Sequence, residues 1–240
     1  MALPKLNDTP KYSMKIPSMG LEVRFRPFLV KEEKVMLMAL ESDDQRQQLM
    51  SIVDTLKACV DGEVDWDKLT TFDVEYIFLN VRAKSVGETV EVNITCPDDG
   101  ETQVQLEIDI DTIRVQKDPE HNPIIKLDDE LSIKMKYPSL DQFVEANFEL
   151  SEDSSDVDKS LDMITSCIDQ VYNSEESWSA SDCTKKELQG FVEQMNTKQF
   201  KLIEQFFETM PKLSHTINVT NPNTKVENEV VLEGLASFFG

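Results

Sequence analysis

At 240 residues, with 40% hydrophobic and 8% aromatic content, the chain carries enough apolar material for one large core or two modest ones, and is too aromatic for a disordered protein. Its formal net charge of −22 repels a phosphate backbone, which excludes general nucleic-acid binding and leaves proteins as the expected partners. No run of 18 apolar residues occurs, and the opening MALPKLNDTP lacks the apolar core of a signal peptide, so no membrane partner is expected.

The N-terminal region runs against the average charge: residues 1–36 hold seven basic side chains and four acidic ones. KYSMKIPSMGLEVRFRPF alternates on either side of Pro17-Ser18-Met19-Gly20, and a glycine there supplies a turn conformation closed to other residues. This predicts a β-hairpin within residues 1–28, with Arg24 and Arg26 as candidate partner-docking cations. Residues 29–87 are expected to be helical. Leu49, Ile52, Val53, Leu56 and Val60 recur at helical spacing, as do Val74, Ile77, Phe78 and Val81. Thr70 or Thr71 can cap the second helix, Asp73 and Glu75 suit its first turn, and Gly87 can end it.

Over residues 88–137 the period changes from helical to alternating. Val90, Val92 and Ile94 precede the stretch CPDDG, and Val104, Leu106, Ile108 and Ile110 follow it, which predicts a second hairpin with CPDDG at its tip. IIKLDDELSIKMKYP repeats the pattern as a third hairpin or a continuation of the same sheet. Residues 138–211 return to helical spacing. Val157, Leu161, Ile164, Ile168 and Val171 fall on one face of a predicted helix, within an acidic stretch that holds nine acids and one lysine between Leu150 and Cys183. Thr184 and Glu187 form a capping box ahead of Leu188, Phe191, Val192 and Met195. Thr197 precedes Phe200, Ile203, Phe207 and Met210, and Pro211 closes the run. The Phe and Met stripe is assigned to core packing. Residues 212–240 form a last alternating hairpin and the apolar tail LASFFG, in which Leu235, Phe238 and Phe239 either fill a core or dock on a partner. The expected fold class is α+β: one unit over residues 1–240, a helical core with several β-hairpins.

Two hairpin tips match in kind. VNITCPDDGETQVQL and INVTNPNTKVENEVVL both run strand, Thr, Cys or a polar residue, Pro, two polar residues, strand. A zinc ribbon is built from two such tips, each CPxCG, because tetrahedral zinc takes four thiolate or imidazole ligands. The corresponding positions here are Cys96, Asp99, Asn221 and Thr224, a poor zinc set. Cys96, Pro97, Gly100, Asn221 and Pro222 are therefore expected to form a structural knuckle: either independent hairpin turns or two halves of a metal-free ribbon. No metal or other cofactor is expected.

The four cysteines, at 59, 96, 167 and 183, include no CxxC pair and are expected to be reduced thiols, mostly in the core. His121 and His215 stand alone in polar surroundings and are expected at the surface. Phosphate-loop, dinucleotide and nucleophile-elbow motifs are absent, so no catalytic residue is assigned and the chain is not expected to be an enzyme.

LPKLNDTPKYSMKIPSMG and RPFLVKEEKVMLMALES at the start, FDVEYIFLNVRAKSVGE with TCPDDG in the middle, and QFKLIEQFFETMPKL with EGLASFF near the end occur in an order that resembles the baseplate protein family of contractile-tailed bacteriophages. That family includes a hub subunit and a related hub assembly protein of the large myoviruses. The resemblance implies a non-enzymatic role as a baseplate hub assembly protein or minor hub subunit. Its implied partners are other hub or tail proteins, in the host cytoplasm during assembly and in the virion baseplate. Relatives with fuller CPxCG knuckles differ from this chain at Asp99, Asn221 and Thr224. A tail assembly chaperone for the tape-measure protein is the alternative within the binding class, and a zinc-ribbon nucleic-acid-binding protein is the alternative outside it.

Overall fold

The computed structural model describes residues 9–40, 44–144, 156–234 and 236–239. The fold is mixed α+β, with helices and several small antiparallel sheets. Two compact units divide the chain: Met1–Val64, Phe72–Gln116 and Lys212–Gly240 form the first, and Asp65–Thr71 and Lys117–Pro211 the second.

In the first unit, β1 (Tyr12–Lys15) and β2 (Glu22–Phe25) pair antiparallel across the predicted turn, where Gly20 takes φ +65° and its N–H donates to the Ile16 carbonyl at 2.8 Å. Period-two alternation turns Met14, Val23 and Phe25 inward while Ser13, Lys15 and Arg24 stay exposed. The short β3 (Val60–Asp61) extends this sheet along β2. Helix α1 (Val30–Leu40) precedes α2 (Gln45–Cys59), which Asp44 caps by accepting from the Gln47 N–H. Val53 and Leu56 are buried on α2 as its spacing predicts, but the helix ends at Cys59, so Val60 lies on a strand and not on the helix face. Helix α3 (Thr71–Ser85) buries Val74, Ile77 and Val81. Its first-turn acid Asp73 is fully buried and accepts from the N–H and the Oγ of Ser18 at 2.9 and 2.5 Å, which ties the hairpin turn to the helix start.

The same unit contains the hairpin of β4 (Thr89–Thr95) and β5 (Gln103–Asp109). It also contains a three-stranded antiparallel sheet in which β11 (Lys212–Thr220) lies between β12 (Glu227–Glu233) and β6 (Arg114–Gln116). Alternate residues Val90, Val92 and Ile94 of β4 join Leu79, Ile108, Leu213, Val219 and Leu232 in one core. A final short helix, α8 (Ala236–Phe239), places Phe238 in that core at 2% exposure.

The second unit holds a four-stranded antiparallel sheet in the order β10 (Ser177–Ser179), β9 (Ile168–Tyr172), β8 (Ser132–Met135), β7 (Ile124–Lys126). The hairpin around Asp128-Asp129 belongs to this sheet and does not continue the sheet of β4 and β5. Asp128 shapes its turn by accepting from the N–H groups of Glu130 and Leu131 at 2.9 and 2.8 Å. Helices α4 (Leu140–Val144), α5 (Asp156–Ser166), α6 (Lys185–Glu193) and α7 (Thr197–Thr209) complete the unit. The Thr184/Glu187 capping box is formed at α6. A second capping box, Asn196 with Gln199, starts α7. Ile133, Ile164, Ile168, Val192, Ile203 and Phe206 lie at the centre of the core.

The predicted single helix over Val157 to Val171 is two elements. Helix α5 stops at Ser166, and Ile168 and Val171 belong to β9. The helix-like spacing arises from a β-bulge: neighbouring Lys134 and Met135 on β8 face Gln170 and Ile168, so Asp169 is the extra residue. Both apolar residues then face the core although they are three apart. Val157, at 67% exposure, is not part of the buried face.

His121 is not a surface residue. It is 8% exposed, stacked on Tyr137 and tilted against Phe206 with ring centroids 5.6 and 5.1 Å away. Thr209 Oγ1 donates to the Gln205 carbonyl at 2.7 Å, so it accepts from His121 Nδ1–H at 3.0 Å. Nε2 is then left to accept from the Tyr137 hydroxyl at 3.0 Å. Burial, with a smaller contribution from Lys117, lowers the His121 pKa below its ordinary 6.5. A depressed histidine stabilises the fold fully above its unfolded pKa, and that stability is lost as pH falls from 6.5 through the lower folded value. Equilibrium unfolding between pH 7 and pH 5 is expected to show this decline, and His121→Phe is expected to flatten it. An unchanged slope in that variant counts against the assignment.

Candidate functional site

The tips of the β4/β5 and β11/β12 hairpins meet, and in each the N–H of the fifth residue donates back to the carbonyl of the first, although the first tip is closed one residue later than the second. In the first, Cys96 N–H donates to the Thr102 carbonyl at 2.7 Å and Gly100 N–H to the Cys96 carbonyl at 2.9 Å. In the second, Asn221 N–H donates to the Val226 carbonyl and Lys225 N–H to the Asn221 carbonyl, both at 2.9 Å. The fifth residue of each tip takes a left-handed conformation, φ +69° at Gly100 and φ +65° at Lys225. Pro97 and Pro222 occupy the second position of each, where a fixed φ favours the turn.

Asn221 joins the two tips. Fully buried, it sends its Nδ2 hydrogens to both acids of the first tip, at 3.0 Å to Asp98 Oδ1 and 2.8 Å to Asp99 Oδ2. Its own Oδ1 accepts from the N–H groups of Asn223 and Thr224 at 2.9 and 3.3 Å. Asp98 also accepts from Asn228 Nδ2 at 2.9 Å and from the Thr224 hydroxyl, while its N–H donates to Asn228 Oδ1 at 3.2 Å. Asp99 holds its own turn by accepting from the N–H groups of Glu101 and Thr102, each at 3.0 Å, and from Thr102 Oγ1 at 2.5 Å. Asn223 Nδ2 adds a bond to Thr102 Oγ1 at 3.0 Å.

The charges follow from this donor set. Hydrogen bonds from Asn221 and Thr224 hold the Asp98 carboxyl below the usual carboxylate range. The Thr102 hydroxyl and N–H, with Asn221, hold Asp99 far below it. Both are anions across the physiological range. Burial pushes the Cys96 thiol up, and the two carboxylates push it further, so it stays protonated inside the core of its unit.

The donor chemistry does not fit a zinc ion. Asn221 turns its NH2 group toward the acids, Asp99 is already saturated by donors, and the Thr224 hydroxyl serves Asp98, so Cys96 is the one soft ligand of the four positions. Among the described residues no group of three or more His, Cys, Asp or Glu side chains has metal-holding geometry. The knuckle residues named from the sequence are thus brought together, but through Asp98, Asp99 and Asn228. Asp98 and Asn228 lie outside the four ligand positions; Asp98 is one of several polar residues in its tip and Asn228 a polar residue on β12, and nothing else marks them in the sequence.

The proposed docking residues separate. Arg24 is exposed on β2. Arg26 is engaged within its own unit: its guanidinium donates to Glu32 Oε1 at 3.0 Å, to the Ala58 carbonyl at 2.8 Å and to the Pro27 carbonyl at 3.0 Å. The hydrogen bond with Glu32 raises the Arg26 pKa. Burial opposes ionisation of Glu32, yet bonds from Arg26 and from the Leu29 N–H outweigh it and hold its carboxyl low. Phe238 is in the core and not an exposed plug. Leu235 and the Phe239 side chain lie outside the described residues. No helix among the described residues is long and apolar enough to cross a membrane.

No curated protein and no solved structure matches the chain. The family model described as T4 bacteriophage base plate protein matches residues 9–240, which covers both units and both hairpin tips. On that match, the chain belongs to the T4 bacteriophage base plate protein family and is a phage baseplate protein.

Proposed function

We propose that the chain is a baseplate hub assembly protein or minor hub subunit that acts through protein–protein contacts and without catalysis. The observation that carries this reading is the family match over residues 9–240. The side chains best suited to nucleophilic or acid–base chemistry support it. Three of the four cysteines, Cys59, Cys96 and Cys167, are buried and both ring nitrogens of His121 are engaged, which leaves Cys183 and His215 as half-buried exceptions. On this reading the paired tips are the halves of a metal-free ribbon, with Asn221 and the two acids holding the positions that a metal and its ligands hold elsewhere. Their matched sequences, the shared hydrogen bond from fifth to first residue and the matched left-handed fifth residues support that descent.

Work as an assembly factor takes place in the host cytoplasm, whereas a hub subunit stays in the particle. Quantitative mass spectrometry of purified virions, paired with pull-down of co-expressed hub proteins, separates the possibilities. Hub proteins are expected to co-purify with the chain. Stoichiometric presence in virions marks a subunit, and absence an assembly factor. A chain that retains only the tape-measure protein is a tail chaperone, and the hub reading is then wrong.

A further inference from the structure

Two surfaces of this chain carry exposed apolar residues and unpaired charges of opposite sign. Helix α1 leaves Val30, Val35, Leu37 and Met38 at 82, 47, 58 and 62% exposure, an unusual load of apolar surface for an 11-residue helix. Val30, Lys34, Leu37 and Met38 stand at i, i+4, i+7 and i+8, so they form one stripe with the lysine inside it. In the other unit, α5 and α7 border an open groove of about 890 Å³. Val157, Leu161 and Ile164 from α5 and Phe200 and Phe207 from α7 give it an apolar floor, Lys159 lines the α5 side half-buried, and Glu204 and Glu208 stand exposed on the α7 side. Lys34, Glu204 and Glu208 form no ion pair with a described residue. Helix α1 and helix α5 have the same length, 11 residues, or about 16 Å.

We propose that the occupant of the α5/α7 groove is α1 of a second copy of this chain, seated with its apolar stripe on the groove floor and Lys34 beside Glu204 and Glu208. The apolar contact supplies the drive, and the charge pairing fixes register and orientation. The two surfaces differ, so the contact is heterologous: each copy offers one helix and one groove, and repetition closes into a ring or extends as a filament according to the rotation it imposes. The charge of −22 on each copy opposes approach, so association is expected to strengthen as salt rises from about 10 to about 150 mM and the Debye length shrinks from about 30 to about 8 Å.

Sedimentation velocity and light scattering of the full chain at 1–200 µM test this. Concentration-dependent species larger than a monomer are expected. Lys34→Glu alone and Glu204→Lys/Glu208→Lys alone, all at exposed positions, are each expected to weaken association at least tenfold, and mixing the two variants is expected to restore mixed oligomers. Met38→Gln is expected to weaken association without changing the charge. A chain that stays monomeric to 200 µM at 150 mM salt overturns the proposal, as does association that neither charge reversal affects. The measurement uses the purified chain alone, so its failure is distinct from failure of the hub reading, which depends on virions and co-expressed proteins.

Discussion

Asn221→Ala is expected to destabilise the first unit by about 2–3 kcal/mol, lowering the melting temperature by roughly 5–10 °C in calorimetry. The asparagine is fully buried and is a direct donor from one hairpin tip to both acids of the other. Truncation removes one donor from each carboxylate and also takes away the acceptor that holds the N–H groups of Asn223 and Thr224. The pH dependence has a definite sign. Asp98 and Asp99 have folded pKa values below their ordinary 3.8, so their contribution is complete above that value and is lost as pH falls through the depressed ones. The wild-type chain is thus expected to lose tip stability only below about pH 4, and the variant is expected to show a shallower acid limb. A melting temperature within about 1 °C of wild type, for a variant that still folds, shows that the tips are independent turns.

Phe238→Ala is expected to cost about 3–5 kcal/mol, the range for emptying a buried aromatic site. The ring is 2% exposed and shares a core with β4, β11 and β12. α8 packs on β4 and β12, so the tail joins one strand of each hairpin. Deleting residues 235–240 is expected to lower solubility and melting temperature together. Full retention of melting temperature with loss of hub co-purification is the opposite result and returns Phe238 to a docking role.

The hairpins were legible because alternation, Pro and Gly mark strands and turns locally, and the YSMK/EVRF, TVEVNIT/QVQLEID and HTINVT/ENEVVL pairs all form. The capping box at Thr184 was equally local. What local pattern could not give was set by partners far away in sequence. β3 and β6 are too short to declare themselves and exist because β2 and β11 accept them. Ile168 and Val171 imitate helical spacing because a bulge takes up Asp169. His121 looked solvated because its neighbours in sequence are polar, whereas Tyr137, Phe206 and Thr209, which enclose it, are 16 to 88 residues away. Arg26 belongs to an apparently basic arm, yet Glu32, six residues later, neutralises it. At the tips the shared turn chemistry was visible as CPDDG and NPNTK. The role of Asp98 and Asn228 was not, because it depends on hairpins 123 to 130 residues apart lying side by side.

Gln116 and Lys212 are direct partners on β6 and β11, so the backbone leaves the first unit and returns to it on adjacent strands after an excursion of about 95 residues. During vectorial synthesis at about 5–20 residues per second, the ribosome needs roughly 5–20 s to cross that excursion. Throughout that interval Asp98 and Asp99 have emerged without Asn221, and the apolar faces of β4 and β5 have emerged without β11 and Phe238. The inserted unit has its entire sequence available first, which makes the first unit the later of the two to complete and the β4/β5 hairpin the part of the nascent chain most dependent on staying soluble while it waits.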